Sequence, residues 1–145
     1  MHEANYQFLI RMLGHQMKQL GDKKLEAYNI TSEQGHALDY LVTHRDENIT
    51  QKHMEKVFQR KGSSISSIVT NLEKKGLIER KTDPNDERRK FIHLLPKGFA
   101  IVKEFQVFFD ELEEDMIKGF SVEEKTTLLN LINRVRQNLK DKETD

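Results

Sequence analysis

Residues 62–74, Gly-Ser-Ser-Ile-Ser-Ser-Ile-Val-Thr-Asn-Leu-Glu-Lys, sort their side chains into two sets by type and spacing. Ile65, Ile68, Val69 and Leu72 recur at three and four, which is one face of an α-helix. Ser63, Ser64, Ser66, Ser67, Thr70 and Lys74 occupy the rest of the circumference. Hydroxyl residues are poor choices for a helix face that meets only water, where Lys, Glu or Gln have better propensity. They suit a helix that approaches a polar surface closely and hydrogen-bonds phosphates and base edges. Gln59, Arg60 and Lys61 place donors and positive charge just before this helix. The bland alternative is a serine-rich solvated patch, and that basic lead-in weighs against it.

A second candidate follows in Ile-Glu-Arg-Lys-Thr-Asp-Pro-Asn-Asp-Glu-Arg-Arg-Lys-Phe-Ile-His-Leu-Leu, residues 78–95. Ile78 to Thr82 and Lys90 to Leu94 have the composition of two short strands. Asp83-Pro84-Asn85-Asp86 carries the residues of a type I turn, with Asp first and Pro second. A turn plus three further residues predicts a projecting tip rather than a tight reversal. Arg88 and Arg89 sit where they reach a minor groove beside the groove that the serine-rich helix fills. Asp86 is placed to pair with Arg88 and hold it in shape, with Glu87 solvated. A tip that touches only water is the alternative, and it weakens once the hairpin follows two short helices in this order.

The elements that must position these residues are legible in turn. Tyr6, Leu9, Leu13, Met17 and Leu20 form a helical stripe that Gly21 is expected to bend or weaken. Thr31 and Gln34 have capping-box spacing ahead of Ala37, Leu38, Leu41 and Val42. Thr50 is a good N-cap for a third helix with Met54, Val57 and Phe58 inside, and Gly62 lies in the short turn that a helix-turn-helix needs. Gly76 is a natural left-handed stop for the fourth helix. Pro96 fits the first turn of a long fifth helix bearing Phe99, Val102, Phe105, Phe108, Phe109, Leu112 and Met116. Ser121 and Glu124 repeat the capping box ahead of Leu128, Ile132, Val135 and Leu139, with a frayed tail expected from Lys140. The expected fold is mainly α with a two-stranded β-wing. It comprises a winged helix-turn-helix unit over 32–95 flanked by helices at 1–31 and 96–145. A lone hairpin is marginal in water, so the wing must pack on the helices.

Global charge is silent, with 24 Lys and Arg against 24 Asp and Glu, but its distribution is not. Between Thr50 and Lys97 there are 12 basic and 6 acidic residues, and Glu104 to Glu124 holds eight acids to one lysine. A basic middle with acidic ends fits a face for a polyanion. The absence of cysteine excludes a disulfide framework and thiolate metal sites. No apolar run approaches a membrane span, so a cytoplasmic chain is expected.

On the segments Ile30–Leu41, Thr50–Arg80 and above all Asp83–Gly98, with Asp-x-Arg at Asp86 and Arg88, the chain resembles the MarR family of winged-helix transcriptional regulators. Its finer likeness is to the branch that represses multidrug efflux pumps. Leu95 departs from a frequent Thr before the fifth helix, and Thr70 departs from a frequent basic residue. The resemblance implies a homodimer built from the first and last two helices, binding double-stranded DNA. The breadth of apolar residues on the fifth helix and the heptad-like steps of 128, 132, 135 and 139 favour burial of those helices independently. It also implies a pocket for a small aromatic or cationic effector, with Arg11, His15, His36 and Tyr40 as candidates; each histidine is otherwise a plain packing residue.

Three rival readings compete for the same residues. The six histidines have no tight ligand spacing, which speaks against a metal-responsive regulator, and no metal or cofactor is expected. No Ser-His-Asp ordering, phosphate-binding glycine loop or His-Glu-x-x-His helix is present, so an enzyme is not expected. A winged helix used only for protein contacts predicts an apolar recognition face, whereas this one is hydroxylic and basic.

Overall fold

The structure is a computed structural model that describes residues 5–144. Its elements are α1 (Tyr6–Glu26), α2 (Ser32–Thr43), β1 (Ile49–Thr50), α3 (Gln51–Phe58), α4 (Gly62–Lys74), β2 (Ile78–Asp83), β3 (Asp86–Leu94), α5 (Pro96–Met116) and α6 (Val122–Glu143). The chain divides into two compact units, one running through Phe108 and the other from Phe109. Among the described residues, no helix is long and apolar enough to cross a membrane.

Helix starts follow the caps. Thr31 Oγ1 accepts from the Gln34 N–H while Gln34 Oε1 accepts from the Thr31 N–H, and Ser121 and Glu124 exchange the same pair of bonds. At α3 the reciprocal partner is a histidine: the Thr50 N–H donates to His53 Nδ1 and the His53 N–H to Thr50 Oγ1. Each such cap contributes about 1 kcal/mol. Gly76, at φ +74°, ends α4 and releases the chain into β2.

The sheet has three strands rather than two, in the order β1-β3-β2, all antiparallel. β1 is two residues long, pairing Ile49 with Ile92 and Thr50 with Phe91. So short a strand shows no alternation in the sequence, and Thr50 is also the cap of α3, which hides it. Its effect is to sew the base of the wing to the entrance of the helix-turn-helix.

One core holds the first unit together, built from Leu25 and Ile30, Ala37, Leu38 and Leu41, Met54, the inner face of α4, Leu77, Ile78 and Ile92, and Val102 and Phe105 of α5. Burying a side chain of the size of Leu38 or Met54 stabilises by roughly 1.5–3 kcal/mol. α5 approaches this core at a glycine. A Cβ on Gly98 would stand 2.4 Å from the Leu77 backbone oxygen, which already accepts from the Leu95 N–H.

Several apolar positions stand elsewhere than the periodicity places them. α1 runs through Gly21 without a break, burying only Gly21 and Leu25, while its stripe from Tyr6 to Leu20 is exposed. Val57 is exposed on α3. In the second unit, α6 buries no residue and continues past Lys140 to Glu143, its last turn extended by a Gln137–Asp141 side-chain bond.

Candidate nucleic-acid interface

The inner face of α4 is fully committed: Ile65, Val69 and Leu72 are inaccessible and Ile68 nearly so. That fixes which face points away. Ser63, Ser64, Ser67 and Lys74 are exposed, and Ser66 and Thr70 half-buried, as the hydroxyl pattern requires. Asn71, not among the expected residues, is exposed as well, four residues after Ser67, and adds an amide donor and acceptor to this face. Lys61 is the N-cap of α4 and makes no side-chain cap. The first-turn N–H groups are therefore not taken by a side chain, and phosphate is a natural acceptor for them.

The turn before α4 is tightly held. Gln59 adopts the left-handed conformation, φ 51° and ψ 48°, to close α3, which constrains it as a turn residue first. Gln51 Nε2 donates to the Gly62 carbonyl across the turn. Arg60 reaches back to α2, its Nη2 lying 2.7 Å from Glu33 Oε1, an exposed pair that phosphate can replace at small cost.

In the wing, strand pairing passes from Thr82↔Lys90 directly to Asp83↔Asp86. Glu87, Arg88 and Arg89 are thus the three extra residues of the tip, on the returning strand. Two aspartates shape it. Asp83 Oδ1 accepts from the Asn85 N–H at 2.9 Å, and Asp86 Oδ1 from the Arg88 N–H at 3.0 Å. Arg88 is left 94% exposed, with Asp86 Oδ1 at 3.6 Å from its Nε. Arg89 is engaged: its Nε and Nη2 both donate to Asp83 Oδ2, at 3.0 and 2.8 Å, and its guanidinium lies 5.5 Å from the Phe91 ring centroid. The Asn85 N–H and then the Arg89 pair hold the Asp83 carboxyl below its ordinary range, against the opposing effect of burial. The tip thus presents Arg88, while Arg89 braces it; residue types alone give no sign of that division.

The four effector candidates lie in two settings. Arg11 and His15 share one face of α1 with Phe8, Met12 and Gln16, an open patch that includes no α2 residue. His36 is exposed on α2, and Tyr40 is half-buried there between His44 and Phe58, with ring centroids 4.4 and 5.6 Å away. Burial, and then Glu47, raise the Tyr40 hydroxyl above its ordinary pKa. Other histidines have structural work: His44 pairs with Glu47, His53 caps α3, and His93 stands edge-on to Phe91. His2 lies outside the described residues.

Two short helices joined by a tight turn, followed by a hairpin sewn into a small sheet, define a winged helix-turn-helix. A model of the MarR family matches residues 28–89. Over most of its length the chain is similar to Staphylococcus aureus MepR, a transcription regulator of the multidrug efflux pump MepA. Identity is 39%, 93% of this chain and 98% of that one are covered, and the TM-score is 0.84. A MepR–DNA complex matches at 39% identity, covering 94% and 99%, with a TM-score of 0.76. MepR bound to ethidium bromide matches at 40% identity, covering 93% and 96%, with a TM-score of 0.71. An uncharacterised HTH-type transcriptional regulator of Bacillus subtilis, YsmB, is 28% identical over 141 residues, 97% of this chain and 95% of the relative. The chain belongs to the MarR family of transcriptional regulators.

Proposed function

We propose that this regulator is a homodimeric repressor that grips a pseudo-palindromic operator, α4 in the major groove and Arg88 in the adjacent minor groove. A small aromatic or cationic molecule releases it, and a multidrug efflux gene is among its targets. The observation that carries DNA binding is the pairing, in one compact unit, of a hydroxyl-faced helix with a wing in which one arginine is braced and the other stands exposed. The structures of MepR with DNA and with ethidium bromide support the two ligand classes. Dimerisation through the segments 1–31 and 96–145 accounts for the apolar side chains left on α1 and α6, among them Leu13 at 55%, Leu129 at 63% and Leu139 at 60% exposure. Two-fold symmetry then sets the two recognition helices about 34–36 Å apart. Gln59, Arg60, Lys61, Ser63, Ser64, Ser66, Ser67, Thr70 and Lys74 are assigned to the helix side of the contact, and Asp86, Arg88 and Arg89 to the wing.

Footprinting the purified protein on the DNA flanking its own gene tests this reading. A protected, two-fold symmetric site is expected, and an effector that weakens protection by about 5–150-fold, the usual range of allosteric coupling. A monomeric protein, or one indifferent to duplex DNA at low ionic strength, refutes it.

A further inference from the structure

Ser66, Thr70 and Glu73, four and three residues apart, share one flank of α4. Glu73 is the one acidic residue in that helix. Arg80, near the root of the wing on β2, lies against this flank. Its Nη2 donates to Glu73 Oε1 at 3.0 Å and to Thr70 Oγ1 at 3.4 Å, and its Nε to Glu73 Oε2 at 3.4 Å. The Arg80 side chain is about three-quarters covered, 26% exposed. Glu73 stays 40% exposed, beside residues meant to face phosphate. The Arg80 hydrogen bonds, ahead of a smaller opposing effect of burial, keep its carboxyl below the usual range, so it carries full charge at neutral pH.

We infer that Arg80 is a positioning residue of the DNA interface, which fastens the wing to the recognition helix and masks the Glu73 carboxylate from the phosphate backbone. A bare carboxylate on the recognition helix repels a polyanion, and like charges brought together across an interface are costly. A planar guanidinium covers both carboxylate oxygens and still has a donor for Thr70, which a lysine ammonium cannot match in that geometry. The same three bonds set the spacing between α4 and β2, and so between the helix and the tip that Arg88 carries. Thr70 thereby enters the interface as an acceptor already turned toward the wing, rather than as a free hydroxyl.

This inference rests on the DNA-binding reading, and a double-mutant cycle separates the two. Wild type, Arg80→Gln, Arg80→Lys, Glu73→Gln and the Arg80→Gln/Glu73→Gln pair are titrated by fluorescence anisotropy against a labelled short duplex of mixed sequence. Several salt concentrations are used, with melting temperatures in parallel. Arg80→Gln is expected to weaken binding about tenfold, Arg80→Lys less, and Glu73→Gln added to Arg80→Gln to recover a large part of the loss. Two patterns in binding alone overturn the inference, and a third appears in the melting temperatures. In one, Arg80→Gln and the double variant are equally weak with the salt slope reduced by about 0.9 per protomer, which makes Arg80 a direct phosphate contact. In the other, Arg80→Gln binds like wild type. An affinity loss that follows melting temperature alone, unmoved by Glu73→Gln, also overturns it by reducing Arg80 to a stability residue. Failure of the wild type to bind the duplex at low salt refutes the DNA-binding reading instead.

Discussion

Arg88→Ala isolates the wing tip, because the structure predicts that this change touches binding and little else. The side chain is 94% exposed, and its one ion pair, to Asp86 at 3.6 Å, is of the surface kind that contributes about 0–1 kcal/mol. Its backbone N–H bond to Asp86 does not depend on the side chain and persists. Folding stability should therefore move by no more than about 0.5 kcal/mol. Binding is another matter. Each cation that displaces counterions from a duplex adds about 0.9 to the slope of log affinity against log salt, and the proposed dimer carries two tips. Losing both lowers the slope by about 1.8, which at physiological salt amounts to about thirtyfold in affinity. The loss should be similar on operator and on mixed-sequence DNA. Anisotropy titrations across a salt series, with thermal melts as control, give both numbers. A variant that melts like wild type and keeps its slope removes Arg88 from the interface and with it the wing's assigned role.

Three further outcomes follow from the geometry. Ser67→Glu puts a carboxylate on the exposed face of α4 and should abolish operator binding with an unchanged melting temperature; retained affinity would take that face out of the groove. Gly98→Ala drives a methyl to 2.4 Å from the Leu77 carbonyl, a clash with backbone that no rotamer relieves. It should cost about 1–3 kcal/mol, lowering the melting temperature by about 2–4 °C per kcal/mol, and a neutral result would mean that α5 is free to shift at its start. Asp83 has a folded pKa below its unfolded one, so its stabilising effect is complete above the unfolded value near ~3.9 and fades as pH falls through the folded value. Protection of the Asn85 amide, taken against its intrinsic exchange rate at each pH, should fall in that acidic window and at no higher pH; Asp83→Asn should remove that loss.

Much of the scaffold was legible because it depends on near neighbours in the chain. Thr31 with Gln34 and Ser121 with Glu124 act across three residues, Gly76 by its own conformation, and the inner face of α4 by its period. The wing's three extra residues could be counted from the turn outward. What escaped involves partners that the chain brings together late. Arg89 and Asp83 are six residues apart and meet only once β3 folds back, whereas Asp86 and Arg88, two residues apart, pair as adjacency suggests. β1 is too short to show a period at all.

The apolar stripes of α1 and α6 make the same point in reverse. Their periodicity is as regular as that of α4, yet α4 buries its stripe within the chain while Leu13 and Leu139 remain exposed in theirs. A period reports that one face of a helix avoids water; it does not say whose surface covers that face. Within one protomer α4 has β2 and α2 to pack on, so its polar face is defined by exclusion and can be assigned to a ligand. α1 and α6 are defined only once a second surface is supplied. The effector candidates inherit the same dependence, since the patch holding Arg11 and His15 is lined by α1 alone. If the proposed dimer supplies the remaining walls, such a site cannot be closed by reading one chain's residues, whereas the proposed DNA-facing side of α4, backed by its own core, can.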